Sequence, residues 1–277
     1  MRFIRKSPAQ PPAGVRLEDV REALEGARSG QVVLGLGETD GAMMLDLDFA
    51  HTLLVGDTGS GTSGLMRSVL GQVLAHGAEV VVLDRTARQS WAKAHVDVTH
   101  AGRIDEIHAE LVRLGKELER RENVAASDIL TARRVVVAID HRAGLAEALQ
   151  ARWTERRSWG EPQVSPAVEA LAALEWASPM LGLHMVAATN SGSSLAATTR
   201  EAYGVRIVSG RVGTQAWPVF TGGLSRPLAA TSRTPGRFWA VRGATTAPLS
   251  ALYLSEVEAL HLPAALLLAD AGKWGAA

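Results

Sequence analysis

The sequence predicts an α/β fold in which a mainly parallel sheet is flanked by helices. Three observations predict it. The short apolar runs Glu79 to Asp84, Arg134 to Asp140 and Gly182 to Thr189 lack the alternation of a half-solvated strand, so they read as parallel strands buried on both faces. Between them lie stretches of helical spacing, above all Ile104 to Asn123, where Ile104, Ile107, Leu111, Leu114 and Leu118 recur three or four apart. A glycine-rich turn, Gly56 to Gly64, joins an apolar run to a helix-competent one, in the order strand, turn, helix.

The bulk properties narrow the function classes. A chain of 277 residues with 47% apolar content accommodates one large α/β domain with appendages. Lys plus Arg and Asp plus Glu both number 29, so there is no net charge. A free-standing nucleic-acid binder carries a basic excess, so any DNA contact has to come from a local patch or an assembled ring. The absence of cysteine excludes disulfides and thiolate metal sites. No apolar run approaches the roughly 18 residues of a membrane span, so no integral membrane segment is expected. The basic N-terminus has no apolar stretch behind it of the kind a signal peptide carries, and a cytoplasmic location is expected.

In chain order, residues 1–14 are rich in proline and read as an arm, and Leu17 to Ala27 reads as a docking or capping helix. Gln31 to Leu36 and Ala42 to Leu47 form a hairpin around Gly37 to Gly41. His51 to Val55 is the strand before the glycine turn, and Leu65 to His76 the helix after it. In the long helix, the charge run Lys116 to Glu122 reads as a solvated face. Ala151 to Pro166 is polar and reads as a loop, whose Trp153 and Trp159 either stack on bases or pack locally. Ala167 to Leu181 is helical, Val205 to Val212 and Gly236 to Val241 are further strands, and Leu260 to Ala269 is an apolar helix that docks on the domain or on a neighbour. The implied division is residues 1–29 (arm and short helix), 30–250 (core domain) and 251–277 (C-terminal helix and tail). His100, His108 and His184 have no metal-ligand spacing.

The glycine turn carries the chemistry. Gly56, Asp57, Thr58, Gly59, Ser60, Gly61, Thr62, Ser63 and Gly64 fill the phosphate-loop frame G-x-x-x-x-G-K-S/T, with threonine at position 62 where lysine is expected. The glycines allow a tight turn that brings backbone N–H groups against phosphate oxygens at the positive end of a helix. In this reading the loop binds ATP and Ser63 contributes its hydroxyl to a magnesium ion. The missing lysine forgoes a charge-assisted contact worth about 1.5–3 kcal/mol. Arg67, further along the helix, is one possible substitute. The alternative is a glycine turn that merely joins strand to helix. Asp140 closes an apolar strand, where the acid that holds the metal-bound water sits. His141 follows it, either as a weak base or as a surface residue. If the strand order is right, Asp84 and Thr189 end their strands at the same edge, where open parallel sheets bind ligands.

The succession of Leu34-Gly-Leu-Gly-Glu-Thr-Asp-Gly-Ala-Met-Met-Leu-Asp-Leu47, the glycine turn, Val80 to Asp84, Glu119-Arg-Arg-Glu122, Val135 to Asp140, Leu181-Gly-Leu-His-Met-Val-Ala-Ala-Thr-Asn190 and Pro235-Gly-Arg-Phe-Trp-Ala-Val241 resembles the motor domain of FtsK/SpoIIIE DNA translocases. That domain also occurs in actinobacterial plasmid-transfer proteins and type VII secretion ATPases. The resemblance covers roughly residues 30–245 and implies a P-loop NTPase, RecA-like fold. It further implies Asp140 and His141 at the catalytic positions, Ser63 and Asp140 as magnesium ligands, and hexameric rings around DNA. A neighbour's arginine would complete each site, and Arg206 and Arg211 lie in the corresponding strand region. The chain departs from the family at Thr62 for lysine, His141 for glutamate, and Asn190-Ser191 for the usual glutamine and arginine. These departures imply a degenerate member with weak or absent hydrolysis. The alternative is a non-catalytic pseudo-ATPase subunit that scaffolds or regulates an active motor or secretion assembly.

Overall fold

Adjacent residues of each central strand serve opposite cores, which is why these strands read as continuous apolar runs. In the computed structural model, which describes residues 14–38, 41–193, 195–227 and 234–262, β4 (Glu79–Asp84) sends Val81 and Leu83 to one face and Val80 and Val82 to the other. The strands β6 (Val135–Asp140) and β7 (Leu183–Thr189) alternate in the same way.

With β3 (Thr52–Val55), β5 (Val98–Ala101) and β8 (Val205–Ser209), these strands form the parallel part of one ten-stranded sheet. Two hairpins complete it: β1 (Gln31–Leu36) with β2 (Ala42–Asp46), and β9 (Arg237–Arg242) with β10 (Thr245–Ala251). The order is β2-β1-β10-β9-β8-β3-β7-β6-β4-β5. From β8 onward through β5 the neighbours run parallel, whereas β2 through β9 add an antiparallel wing. The α/β fold expected from the sequence is the one observed. The closing strand β10 had no separate sequence signal, and β8 stops at Ser209 because Gly210 to Gly213 turns the chain.

Helix α1 (Arg21–Gly26), preceded by a 3₁₀ turn, docks Val20 and Leu24 on Val33, Leu36 and Leu252 at the antiparallel wing. One face of the sheet carries α2 (Thr62–Ala75), which packs against residues of β1, β3, β4, β6 and β7. The other carries α3 (Ile104–Glu122), α5 (Leu145–Arg156) and α6 (Pro166–Trp176). Shorter helices α4 (Ala126–Thr131), α7 (Ala197–Glu201) and α8 (Ala216–Thr221) fill connections. Residues 1–13 of the expected arm, and the expected apolar helix beyond Leu262, lie outside the described residues.

Two expectations need correction. The segment expected as a loop from Ala151 is helical to Arg156, because Leu145 and Leu149 are buried and the half-buried Trp153 continues their stripe, four residues apart, among polar residues that conceal it. Trp153 stacks on His108 (centroids 5.5 Å apart, planes at 14°) and donates to the Pro162 carbonyl at 2.9 Å, so it packs locally. Within the charge run, Arg121 is buried: it pairs with Glu117 at 2.7 Å and donates to the Leu181 and Arg133 carbonyls.

Gln72 joins α2 to the wing. Fully buried, its side chain accepts from Val33 N–H at 2.7 Å and donates to the Val33 carbonyl at 2.9 Å, next to the register shift between Val33 and Gly35. Gln72→Leu strands both backbone groups and is expected to cost about 2–4 kcal/mol, read as a lower urea midpoint at unchanged slope.

Candidate functional site

The loop Gly56–Gly64 leaves the carboxyl end of β3 and enters α2. Gly56 N–H donates to the Thr189 carbonyl at 3.0 Å, tying the loop to β7. Ser60 N–H closes on the Asp57 carbonyl at 3.0 Å, and Gly236 N–H fastens the loop from outside through the Ser60 carbonyl at 2.9 Å. Gly59 and Gly61 take φ of +78° and +97°, a region where a side chain is strained. At Gly61 an added Cβ would also press on the Gly236 nitrogen at 3.0 Å. The first helical bond of α2 is Leu65 N–H to the Gly61 carbonyl, and no side chain caps the helix. The N–H groups of Thr62, Ser63 and Gly64 therefore lack intrahelical partners. They border a recess of about 280 Å3 lined by residues 56–64 and Arg88. Bare helix-end donors around a glycine cradle fit an anion of phosphate type.

Thr62 does not reach into that recess as a lysine would. Its hydroxyl lies 2.7 Å from that of Ser60, and both residues are buried. The pair folds over Gly56, where an added Cβ would lie 2.5 Å from Ser60 Oγ and 2.6 Å from Thr62 Oγ1. Arg67, the possible substitute for the lysine, is engaged elsewhere. It donates to the Leu254 carbonyl at 3.1 Å and approaches Glu256 at 3.6 Å, so it braces the C-terminal segment.

The strand order brings the acids together. Asp84 and Asp140 are register partners on β4 and β6, and β7 separates β6 from β3. Gln89, fully buried, links this edge to the loop: its side-chain amide donates to Asp140 Oδ2 at 3.3 Å and to the Ser63 carbonyl at 3.2 Å. Trp91 holds Gln89 from behind, donating to Oε1 at 2.8 Å. Burial, then the neighbouring charge of Asp84, pushes the Asp140 carboxyl above the usual carboxylate range. Burial acts the same way on Asp84, but N–H and O–H donors from Gln89 and Thr86 outweigh it and hold Asp84 below that range. A desolvated, repelled carboxylate linked through Gln89 to the start of α2 suits a divalent cation. The described non-glycine residues with positive φ are Ala87 (55°), three residues after Asp84, and His141 (70°), directly after Asp140. Strain of this kind concentrates at functional sites.

Immediately after His141, Arg142 forms a two-pronged pair with Glu175 (2.6 and 2.9 Å), and Tyr203 O–H donates to the same carboxylate at 2.7 Å. This buried cluster fixes the far side of the β6 turn. Ser191, at the position of the expected arginine, donates its hydroxyl and N–H to Asp57 at 2.7–2.9 Å and so ties the end of β7 to the loop. Of the two arginines considered for a neighbour's site, Arg206 donates to its own Tyr203 and Phe220 carbonyls. Arg211 stands over the protein's own loop, 3.4 Å from the Thr58 carbonyl. Sequence reasoning missed Gln89, Arg88 and the Arg142–Glu175–Tyr203 cluster. The first two lie in an irregular segment, and the cluster's members are far apart in the chain.

No protein-family model matches the sequence, and no curated protein matches it significantly. Solved structures do match in fold. The pCW3 conjugation coupling protein TcpA, a monomer with ATPγS, superposes at TM-score 0.71 with 20% identity over 95% of this chain and 76% of that one. ATPases 2 and 3 of Thermomonospora curvata EccC, in complex with a signal sequence peptide, give 0.63 and 14% over 88% and 44%. ATPases 2 and 3 of Geobacillus thermodenitrificans EssC give 0.64 and 12% over 98% and 53%. The chain thus spans about half the length of the EccC and EssC structures. These are ATPase-domain folds of conjugation and type VII secretion proteins, the set to which the sequence resemblance pointed. Among the described residues no helix is long and apolar enough to cross a membrane.

Because folded Asp140 keeps its proton to higher pH than the unfolded chain does, its contribution to stability is present at acid pH and is lost as pH rises through the elevated value. Asp140→Asn removes that loss. It is expected to raise the unfolding midpoint at pH 7, with the gap to the natural protein closing as the scans move to lower pH. Glu175→Ala should do the opposite, costing about 3–5 kcal/mol by leaving Arg142 buried and unpaired, as read from chemical denaturation.

Proposed function

We propose that the chain is an FtsK/SpoIIIE-like nucleotide-binding protein, associated with DNA translocation or transfer, in which ATP hydrolysis is weakened or lost. The observation that carries the reading is the loop itself: an uncapped helix start and a glycine cradle are intact, while the residue at the lysine position is folded inward onto Ser60. In this reading the backbone of residues 56–64 holds the phosphates of ATP, and Ser63 and Asp140 hold magnesium, which supplies charge neutralisation at the phosphates when bound. Asp140 suits the role because burial and Asp84 disfavour its bare charge. His141 stands where a glutamate would polarise water, and its backbone is already turned to φ +70°.

The fold of TcpA, EccC and EssC supports a place in a DNA-transfer or secretion assembly, and the resemblance supports a hexameric ring. A second reading, a non-catalytic subunit that scaffolds or regulates an active motor, shares the same loop. It is favoured by the replacement of both the charged loop residue and the water-polarising residue. DNA-stimulated phosphate release separates the two: release that disappears in Asp140→Ala supports a slow motor, and its absence at every DNA concentration leaves the scaffold.

Thr62→Lys restores the missing charge to a preformed cradle and is expected to tighten Mg-ATP binding about tenfold or more, measured by calorimetric titration. If neither the natural protein nor Thr62→Lys binds, the loop is a structural turn.

A further inference from the structure

Two arginines approach the glycine loop, Arg88 in the lining of the recess and Arg211 at Thr58 and Gly59, although the helix that follows the loop supplies no cation to it. Arg88 lines the recess directly. It is presented by a turn built on Asp84, which takes hydrogen bonds from Thr86 and Gln89, and it follows Ala87, held at φ +55°. The Arg88 side chain is exposed and has no ion-pair or hydrogen-bond partner among the described residues.

Arg211 leaves the turn after β8. Its backbone N–H bonds to Ser209 Oγ at 3.2 Å, and Arg226 braces the preceding Gly210 carbonyl at 2.7 Å. The Arg211 guanidinium lies over the glycine loop: NH1 is 3.4 Å from the Thr58 carbonyl and 3.0 Å from the point a Cβ on Gly59 would occupy. The bare, left-handed Gly59 therefore makes the space into which this head group fits. Arg237, next to the Gly236 that fastens the loop, adds a buried NH1 without a hydrogen-bond partner among the described residues.

We infer that Arg88 and Arg211, contributed in cis from the turns after β4 and β8, replace the loop lysine as the cations that hold the terminal phosphates of a nucleoside triphosphate. This rests on the proposed reading of the loop as a phosphate cradle. Two guanidiniums close to the loop suit a ligand that carries several negative charges, and their planar forks address phosphate oxygens two at a time. Thr62 is then free to knit the loop internally through Ser60, which a lysine at that position would not do. Both are binding residues that position the phosphates, and neither is assigned a proton-transfer role.

The test is calorimetric titration of Mg-ATP into the natural protein, Arg88→Ala, Arg211→Ala, Arg211→Lys, the double alanine variant, Thr62→Lys, and Thr62→Lys combined with the double alanine variant. Arg28→Ala, an exposed arginine far from the recess, controls for net charge. The inference predicts that the natural protein binds and that each alanine variant binds about tenfold or more weakly. It further predicts that Arg211→Lys binds more weakly than the natural protein but more tightly than Arg211→Ala, because it keeps the charge and loses the fork, and that Thr62→Lys rescues the double variant. Arg88 is exposed in a turn, so its variant reports even if Arg211→Ala fails to fold. Binding by the natural protein that both alanine variants match overturns the inference and leaves the cradle reading standing. Binding by Thr62→Lys alone also overturns it, because the arginines then do not replace the lysine. Binding by neither the natural protein nor Thr62→Lys removes the cradle reading and the inference with it.

Discussion

Helix α2 is buried almost all round, and its fixed position is the constraint from which the candidate site follows. Leu65, Met66, Val69, Leu70 and Val73 face the sheet or the β1–β2 hairpin, and Leu254, Ala259 and Leu262 close over Gly71. Each such side chain, fully buried, contributes about 1.5–3 kcal/mol. Rotating or sliding the helix would forfeit several of these at once, so the first turn and its unpaired N–H groups stay where the packing puts them. Gln72 adds a polar lock to the same helix by completing the hydrogen bonding of Val33. The loop can be rich in glycine without being slack, because both of its ends are anchored in close-packed structure.

The acid edge has the opposite character. Asp84 and Asp140 sit side by side in register, and their environments push them in opposite directions. Asp84 is saturated with donors and serves as the organiser of a turn, whereas Asp140 is left desolvated with one long bond from Gln89. Left-handed Ala87 and His141 add strain at the same place. A fold optimised for stability alone would not keep these features together, and natural proteins accept them where a ligand makes use of them.

Two positions at which the chain differs from the FtsK/SpoIIIE motor pattern it resembles hold residues that shape the loop. Thr62 bonds to Ser60 and Ser191 bonds to Asp57, so two residues at departed positions are now part of the hydrogen bonding that shapes the loop. Thr62 and Ser60 pair two hydroxyls and Ser191 donates to a carboxylate, so both side chains are satisfied inside the protein. The loop is thereby stiffened from within, and positive charge approaches it from neighbouring turns.

Much of the architecture was legible in the sequence. Buried parallel strands have no polar face, so β4, β6 and β7 stand out as unbroken apolar runs, and α3 shows its stripe because one side faces solvent. The glycine loop was legible because its backbone angles admit few other residues. Helix α5 was obscured because its apolar stripe is a single residue wide. What only the tertiary structure decided is which charges meet. Arg67 lies one turn from the loop in sequence yet points at the C-terminal segment, while Arg211, far along the chain, stands over Thr58. Gln89 reaches both Ser63 and Asp140 from an irregular segment with no periodicity to read. Local spacing determines helices, strands and tight turns because those depend on near neighbours, whereas the partners of long polar side chains depend on strand order, which local spacing does not encode.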